Sequence, residues 1–117
     1  MTQGASPYGH GGRSVRIERL AAEAFESWLL PLLDDPLLAD LHVLRVEANR
    51  NLSRLCVVLV PGAPEPARAE DDVQIALSRA EPFLRRELAV VLPLKRTPTL
   101  DLRFLALPLH GGEGGAA

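Results

Sequence analysis

The stretch ALSRAEPFLRRELAVVLPLKRTPTLDLRF, from Ala76 to Phe104, constrains the fold of this chain more than any other. Its apolar residues recur at helical spacing on both sides of Ala80-Glu81-Pro82, then switch to every second position after Pro98. Proline has no N–H, and its ring clashes with the carbonyl four residues back. It therefore suits the first turn of a helix better than the middle. The pattern predicts two helices meeting at a kink over Ala80, Glu81 and Pro82, the second ending at Pro93, followed by a strand over 99–105. The same stretch carries Arg79, Arg85, Arg86, Lys95, Arg96 and Arg103 against Glu81, Glu87 and Asp101. That is six positive charges against three negative ones, in a chain whose net charge is -2.

Upstream, Ile17, Leu20, Ala21, Ala24, Phe25, Trp28, Leu29 and Leu32 make a broad apolar stripe at helical spacing,. Ser14 is the expected N-cap. Pro31 should kink or end this helix near Leu30, and Asp34-Asp35-Pro36 should stop it. A strand over 41–48 places Leu44, Val46 and Ala48 on one face and Arg45 and Glu47 on the other. Asn49-Arg50-Asn51 reads as a hairpin turn, because Asn tolerates left-handed dihedrals. A second strand over 52–60 turns Leu55, Val57 and Leu59 inward, and its other face is only half polar. The Pro-rich segment 61–70 cannot continue that strand, and Asp71 or Asp72 should cap the next helix. The expected fold class is α+β: one domain over 14–108, in the order α-β-β-α(kink)α-β, with a three-stranded sheet and helices on one face. Residues 1–13 and 109–117 read as disordered tails.

Composition narrows the function classes. A chain of 117 residues makes one domain, and its 4% aromatic content implies a core of Leu and Val,. The negative net charge argues against a protein that coats DNA non-specifically. A single cysteine, Cys56, excludes an internal disulfide and a multi-cysteine zinc site, and it reads as a buried inert thiol,. His10, His42 and His110 have no metal-ligand spacing. Asp34-Asp35 and Asp71-Asp72 read as a turn and a helix cap, not as acid/base pairs. No phosphate-cradling or dinucleotide Gly motif is present, and no serine sits in a nucleophile elbow. The G-x-x-G matches at Gly9 to Gly12 and Gly111 to Gly114 lie in the tails, not between helices. No enzyme, cofactor or metal is expected. With no apolar run of about 20 residues and no signal-peptide core, the chain is expected in the cytoplasm.

Two charged regions admit two readings each. The cations around the kink could form a nucleic-acid footprint. They could equally be a solvated helix face, with Arg85 or Arg86 paired to Glu81 or Glu87. Twelve of the 13 basic residues are Arg, which reads first as a coding bias. Glu18, Glu23, Glu26, Asp34, Asp35 and Asp40 make the first helix and its loop acidic. That is surface solubility, or a face turned away from RNA or toward a protein.

Four pieces, in order, resemble the ribosome-binding factor A family of bacterial small-subunit assembly factors. Arg16-Ile17 precedes Asp35-Pro36 by the length of the first helix. Val46-Glu47 with Arg50 and Leu52 resembles the family's hairpin. Ala76-Leu77, Ala80 and Phe83-Leu84-Arg85 resemble its second half, and Leu94, Arg96, Pro98 and Leu100 its entry to the last strand. The resemblance implies a type II KH-like fold in which an interrupted helix replaces the G-x-x-G loop. It implies a monomer without chemistry of its own, binding the 30S precursor and its 16S rRNA during late maturation. Arg50, Arg79, Arg85, Arg86, Lys95 and Arg96 are then the expected RNA-binding residues. The chain departs from the family pattern at Pro82, which replaces a usual Gly, and at Leu37, Asn51 and Leu105. These departures keep open an alternative, a small α/β protein-interaction module that has lost RNA binding.

Overall fold

The computed structural model describes residues 12–62 and 69–106. Of the expected tails at 1–13 and 109–117, residues 1–11 and 109–117 lie outside that range, and the expectation is corrected at Gly12 and Arg13, which are helical. The order is α1 (Gly12–Ala24), β1 (Leu41–Ala48), β2 (Arg54–Pro61), α2 (Glu70–Leu88) and β3 (Thr99–Phe104). The sheet runs β1-β2-β3, with β1 antiparallel and β3 parallel to the central β2. This is the expected α+β fold. α1 lies along β1 and α2 along β3, and both contribute to a single core on one face of the sheet.

Three cross-strand rows build the sheet side of that core: Ala48–Leu55–Leu100, Val46–Val57–Leu102 and Val43–Leu59–Phe104. The helices answer with Ile17, Ala21, Phe25 and Leu29 from the first, and Val73, Leu77, Leu84 and Leu88 from the second. The opposite face is charged in rows. Glu47 and Asp101 flank Cys56, and Arg45 and Arg103 flank Val58. Arg45–Glu47 and Arg103–Asp101 also pair along their own strands, at 3.7 Å and 2.8 Å. Cys56 is half-buried rather than fully buried. Burial pushes its thiol pKa up, and Asp101 adds to the effect,.

Several local expectations are corrected. α1 starts at Gly12, so Ser14 is a buried helical residue and not its cap. Its α-helical bonding gives way to a π-helical turn at Phe25–Leu29 and a 3-10 turn at Leu30–Leu32. Pro31 explains this, because it cannot donate and a wider turn relieves its ring. Leu32 falls off the stripe and is 54% exposed. Asp35 does cap, with its carboxylate accepting from Leu37 N at 2.9 Å, ahead of a short turn at Pro36–Leu38.

In β1 the register shifts between Val43 and Arg45. The extra residue is Leu44, which is 50% exposed instead of inward. This bulge brings Leu41 and Val43 before it, and Val46 and Ala48 after it, to the core face, which a strict alternation could not do,. In the hairpin the left-handed residue is Leu52, at φ 59°, not one of the asparagines. The Leu52 side chain is buried in the core. That burial offsets the roughly 1–2 kcal/mol cost of a left-handed non-Gly residue.

The expected division into two helices is wrong in one respect: α2 runs unbroken from Glu70 to Leu88 with Pro82 inside it. A proline in a helix costs about 3 kcal/mol relative to alanine. Beyond it, Leu84 and Leu88 are fully buried. Each contributes about 1.5–3 kcal/mol, which outweighs the loss. The helix also ends earlier than Pro93, at the cap Ala89. Its N-cap is Ala69 without a side-chain bond, so Asp71 and Asp72 act only as first-turn charges at the positive end of the helix dipole,.

Candidate nucleic-acid interface

The hairpin between β1 and β2 supplies one wall of the site. Its corner is held by side-chain bonds. Asn49 Oδ1 accepts from Ser53 N and Arg54 N, both at 2.9 Å, and Asn51 Oδ1 accepts from Ser53 Oγ at 2.6 Å. Asn49 Nδ2 donates to Ser53 Oγ at 2.8 Å. Leu52 anchors the corner in the core from below. Arg50 is therefore exposed on a rigid tip.

Two adjoining hollows lie against this corner. The first, of about 750 Å³, is lined by Arg85, Arg86 and Arg96, together with Pro82, Glu81, Ser53 and Thr97 among others. The second, of about 660 Å³, is lined by Arg13, Lys95 and Arg96 with Asn51, Leu52 and Ser53. Leu52, Ser53 and Arg96 belong to both. The fold thus gathers four of the six expected cations, Arg85, Arg86, Lys95 and Arg96. Arg50 and Arg79 are exposed but line neither hollow. Arg13 joins the group and was missed, because its place at the edge of a Gly-rich segment hid that it sits on the first turn of α1.

Among the described residues, none of Arg13, Arg50, Arg79, Arg86, Lys95 and Arg96 forms an ion pair. The expected helical pairing of Arg85 or Arg86 with Glu81 or Glu87 does not occur. Glu81, the one carboxylate in the first hollow, accepts from Leu100 N at 3.2 Å. Arg85 is also engaged. Its Nε donates to Pro98 O at 3.1 Å and its Nη2 to Thr97 O at 2.9 Å.

Those two contacts belong to a larger device. β3 is an edge strand, and its even residues turn their backbone groups away from β2. Gln74 Nε2 donates to Leu102 O at 3.0 Å, while Gln74 Oε1 accepts from Phe104 N at 2.6 Å. Gln74, Glu81 and Arg85 lie on one face of α2 and cap that edge from end to end. β1 is treated the same way from the other side. Glu18 accepts from Ala48 N at 2.8 Å, and Glu26 accepts from Val43 N. So Glu18 and Glu26, read as surface charge, are edge caps. No sequence signal distinguishes such a carboxylate from a solvated one.

A further polar group sits at the far end of β1. His42 Nε2 contacts Asp40 Oδ1 at 3.1 Å and its Nδ1 contacts Glu26 Oε1 at 3.3 Å. These hydrogen bonds, to Asp40 first and then Glu26, raise the imidazole pKa above its ordinary 6.5. Among the described residues, no group of three His, Cys, Asp or Glu could hold a metal ion, and no helix is long and apolar enough to cross a membrane.

No protein-family model matches the chain, and no curated protein matches it. Solved structures do. Ribosome-binding factor A from Thermus thermophilus, in a crystal structure, is 31% identical over 89% of this chain and 100% of its own, with a TM-score of 0.57. A homology model of Thermus thermophilus ribosome-binding factor A, fitted into a cryo-EM map of a 30S complex, is 29% identical, covering 88% of this chain and 98% of its own, with a TM-score of 0.54. A Thermotoga maritima protein, in a solution structure, shares the fold at 23% identity, 87% and 88% coverage and a TM-score of 0.57. On its fold, its near-complete coverage and its identity to the first of these, the chain belongs to the ribosome-binding factor A family.

Proposed function

We propose that this protein is a non-enzymatic assembly factor of the small ribosomal subunit. It binds the 30S precursor and its 16S rRNA in late maturation, as a cytoplasmic monomer. The observation that carries the reading is the convergence of Arg13, Arg86, Lys95 and Arg96 on two adjoining hollows, with no carboxylate paired to any of them among the described residues. Unpaired cations around a concave surface are suited to the phosphate backbone, which positions a protein without reading sequence. The family supports a ribosomal partner, since one relative is fitted into a 30S complex. Arg50 on the hairpin tip and Arg79 on α2 extend the same face. The side-chain caps on β1 and β3 support the monomer, because they occupy backbone groups that a second sheet would pair with,.

Co-sedimentation across a salt series tests this. The protein should move with 30S particles in preference to 70S, with no nucleotide requirement. The double variant Arg86→Glu/Arg96→Glu should fold normally, since exposed charges contribute little to stability. It should bind about tenfold or more weakly at low salt and lose roughly two units of salt slope. A wild-type protein that stays at the top of the gradient at low salt, or a double variant with unchanged affinity and slope, refutes the reading.

A further inference from the structure

We infer that Arg85 is a positioning residue and not one of the phosphate contacts. Its guanidinium fixes the chain that enters β3, and that chain presents Lys95 and Arg96. The inference rests on reading this surface as an RNA interface.

The geometry is that of a clamp on two successive carbonyls, Thr97 O at 2.9 Å and Pro98 O at 3.1 Å. Pro98 is fully buried and has no N–H, so its carbonyl is the one backbone group it can use to tie the segment down,. Thr97 precedes a proline and is restricted to extended conformations, which aligns its carbonyl with the next one. On the far side, Thr99 N donates to Ser53 O at 2.9 Å and joins the segment to the hairpin corner. The run from Pro93 to Pro98 is thus held from α2 by Arg85 and from the hairpin by Ser53. Both hollows are lined from it. Arg86, one residue on, lines the same hollow without a hydrogen bond or ion pair to another described residue.

A planar fork with donors in fixed directions can serve two carbonyls at once. A lysine ammonium is a compact charge without that geometry. Arg85→Lys therefore keeps the charge and removes the clamp. We expect two results from comparing it, together with Arg85→Gln, with Arg86→Lys and Arg86→Gln. Hydrogen exchange at the Thr99 and Leu100 amides should accelerate at least tenfold in Arg85→Lys and be unchanged in both Arg86 variants. Binding to 30S particles should fall about fivefold or more in Arg85→Lys with the salt slope retained, whereas Arg86→Gln should lose about one unit of slope. Wild-type exchange in Arg85→Lys overturns the clamp. Wild-type binding by Arg85→Lys, or a slope loss in Arg85→Gln equal to that of Arg86→Gln, makes Arg85 a charge contact and overturns the positioning role. If the unaltered protein binds no 30S particle, the interface reading fails, and the exchange measurement alone decides whether Arg85 holds the segment.

Discussion

At the scale of single residues, the chain repeatedly uses a polar side chain for a backbone task that its type does not announce. His42 is one case. It is exposed, yet Asp40 and Glu26 both hydrogen-bond its ring. Its folded pKa is raised above 6.5, so its contribution to stability is fully present below that value and is lost as pH rises through the folded pKa,. NMR titration should show a His42 midpoint above 6.5. His42→Asn should lower stability more at pH 5.5 than at pH 8, and an equal loss at both would mean the charge plays no part. Gly62 belongs to the same corner. A Cβ there would come within 2.6–2.9 Å of the Asp40 carboxylate, and Gly62 N already donates to Asp40 O at 2.9 Å. A side chain at this position would therefore have to displace the Asp40 carboxylate from its place beside His42.

At the scale of elements, α2 is the informative case, because the local rule and the tertiary outcome disagree. Pro82 removes the bond that the Ser78 carbonyl would otherwise accept within the helix. A break was therefore expected, but the helix runs through. Its apolar face continues across the proline, with Leu77 on one side and Leu84 and Leu88 on the other fully buried. Its polar caps straddle the proline too, with Gln74 before it and Arg85 after it. Pro82 itself is exposed. Pro82→Ala should thus raise stability by about 1–3 kcal/mol in urea unfolding, the part of the helix-interior proline cost that the native helix has not relaxed. A loss of stability would show instead that Gln74 and Arg85 reach β3 together only because of the proline.

At the scale of the whole molecule, helices and sheet are joined in two ways. One is the shared aliphatic core. The other is the set of caps along both sheet edges, Glu18 and Glu26 on β1, and Gln74, Glu81 and Arg85 on β3. Each cap satisfies a backbone group that would otherwise face water or a neighbouring molecule. Gln74 carries two of these bonds, both part-buried. Gln74→Ala should cost about 1–3 kcal/mol, read as a shift of the urea midpoint at constant slope. The effect should exceed that of Arg79→Ala, an exposed neighbour on the same helix. A Gln74→Ala protein as stable as its parent would place the helix-to-sheet linkage in the core alone.

Burial periodicity is a local property of a chain, and it was legible. It located β1 over Leu41–Ala48 and β3 from Thr99, and the inward rows Leu55–Val57–Leu59 and Leu100–Leu102–Phe104. It also located the stripe of α1 as far as Leu29. The cation cluster was legible as composition. Three kinds of feature were not. The bulge at Leu44 and the left-handed Leu52 arise because the packed sheet leaves those backbones no other course, and apolar residues give no local warning of either. The continuity of α2 depends on what its residues beyond Pro82, Leu84 and Leu88, bury in the tertiary core. The partners of Glu18, Glu26, Gln74, Glu81 and Arg85 lie between 12 and 30 positions away in the chain. A long polar side chain looks the same in sequence whether it meets water or a strand edge. Only the placement of the chain entering β3 decides which of two adjacent arginines, Arg85 or Arg86, is committed to the fold and which makes no hydrogen bond or ion pair with another described residue.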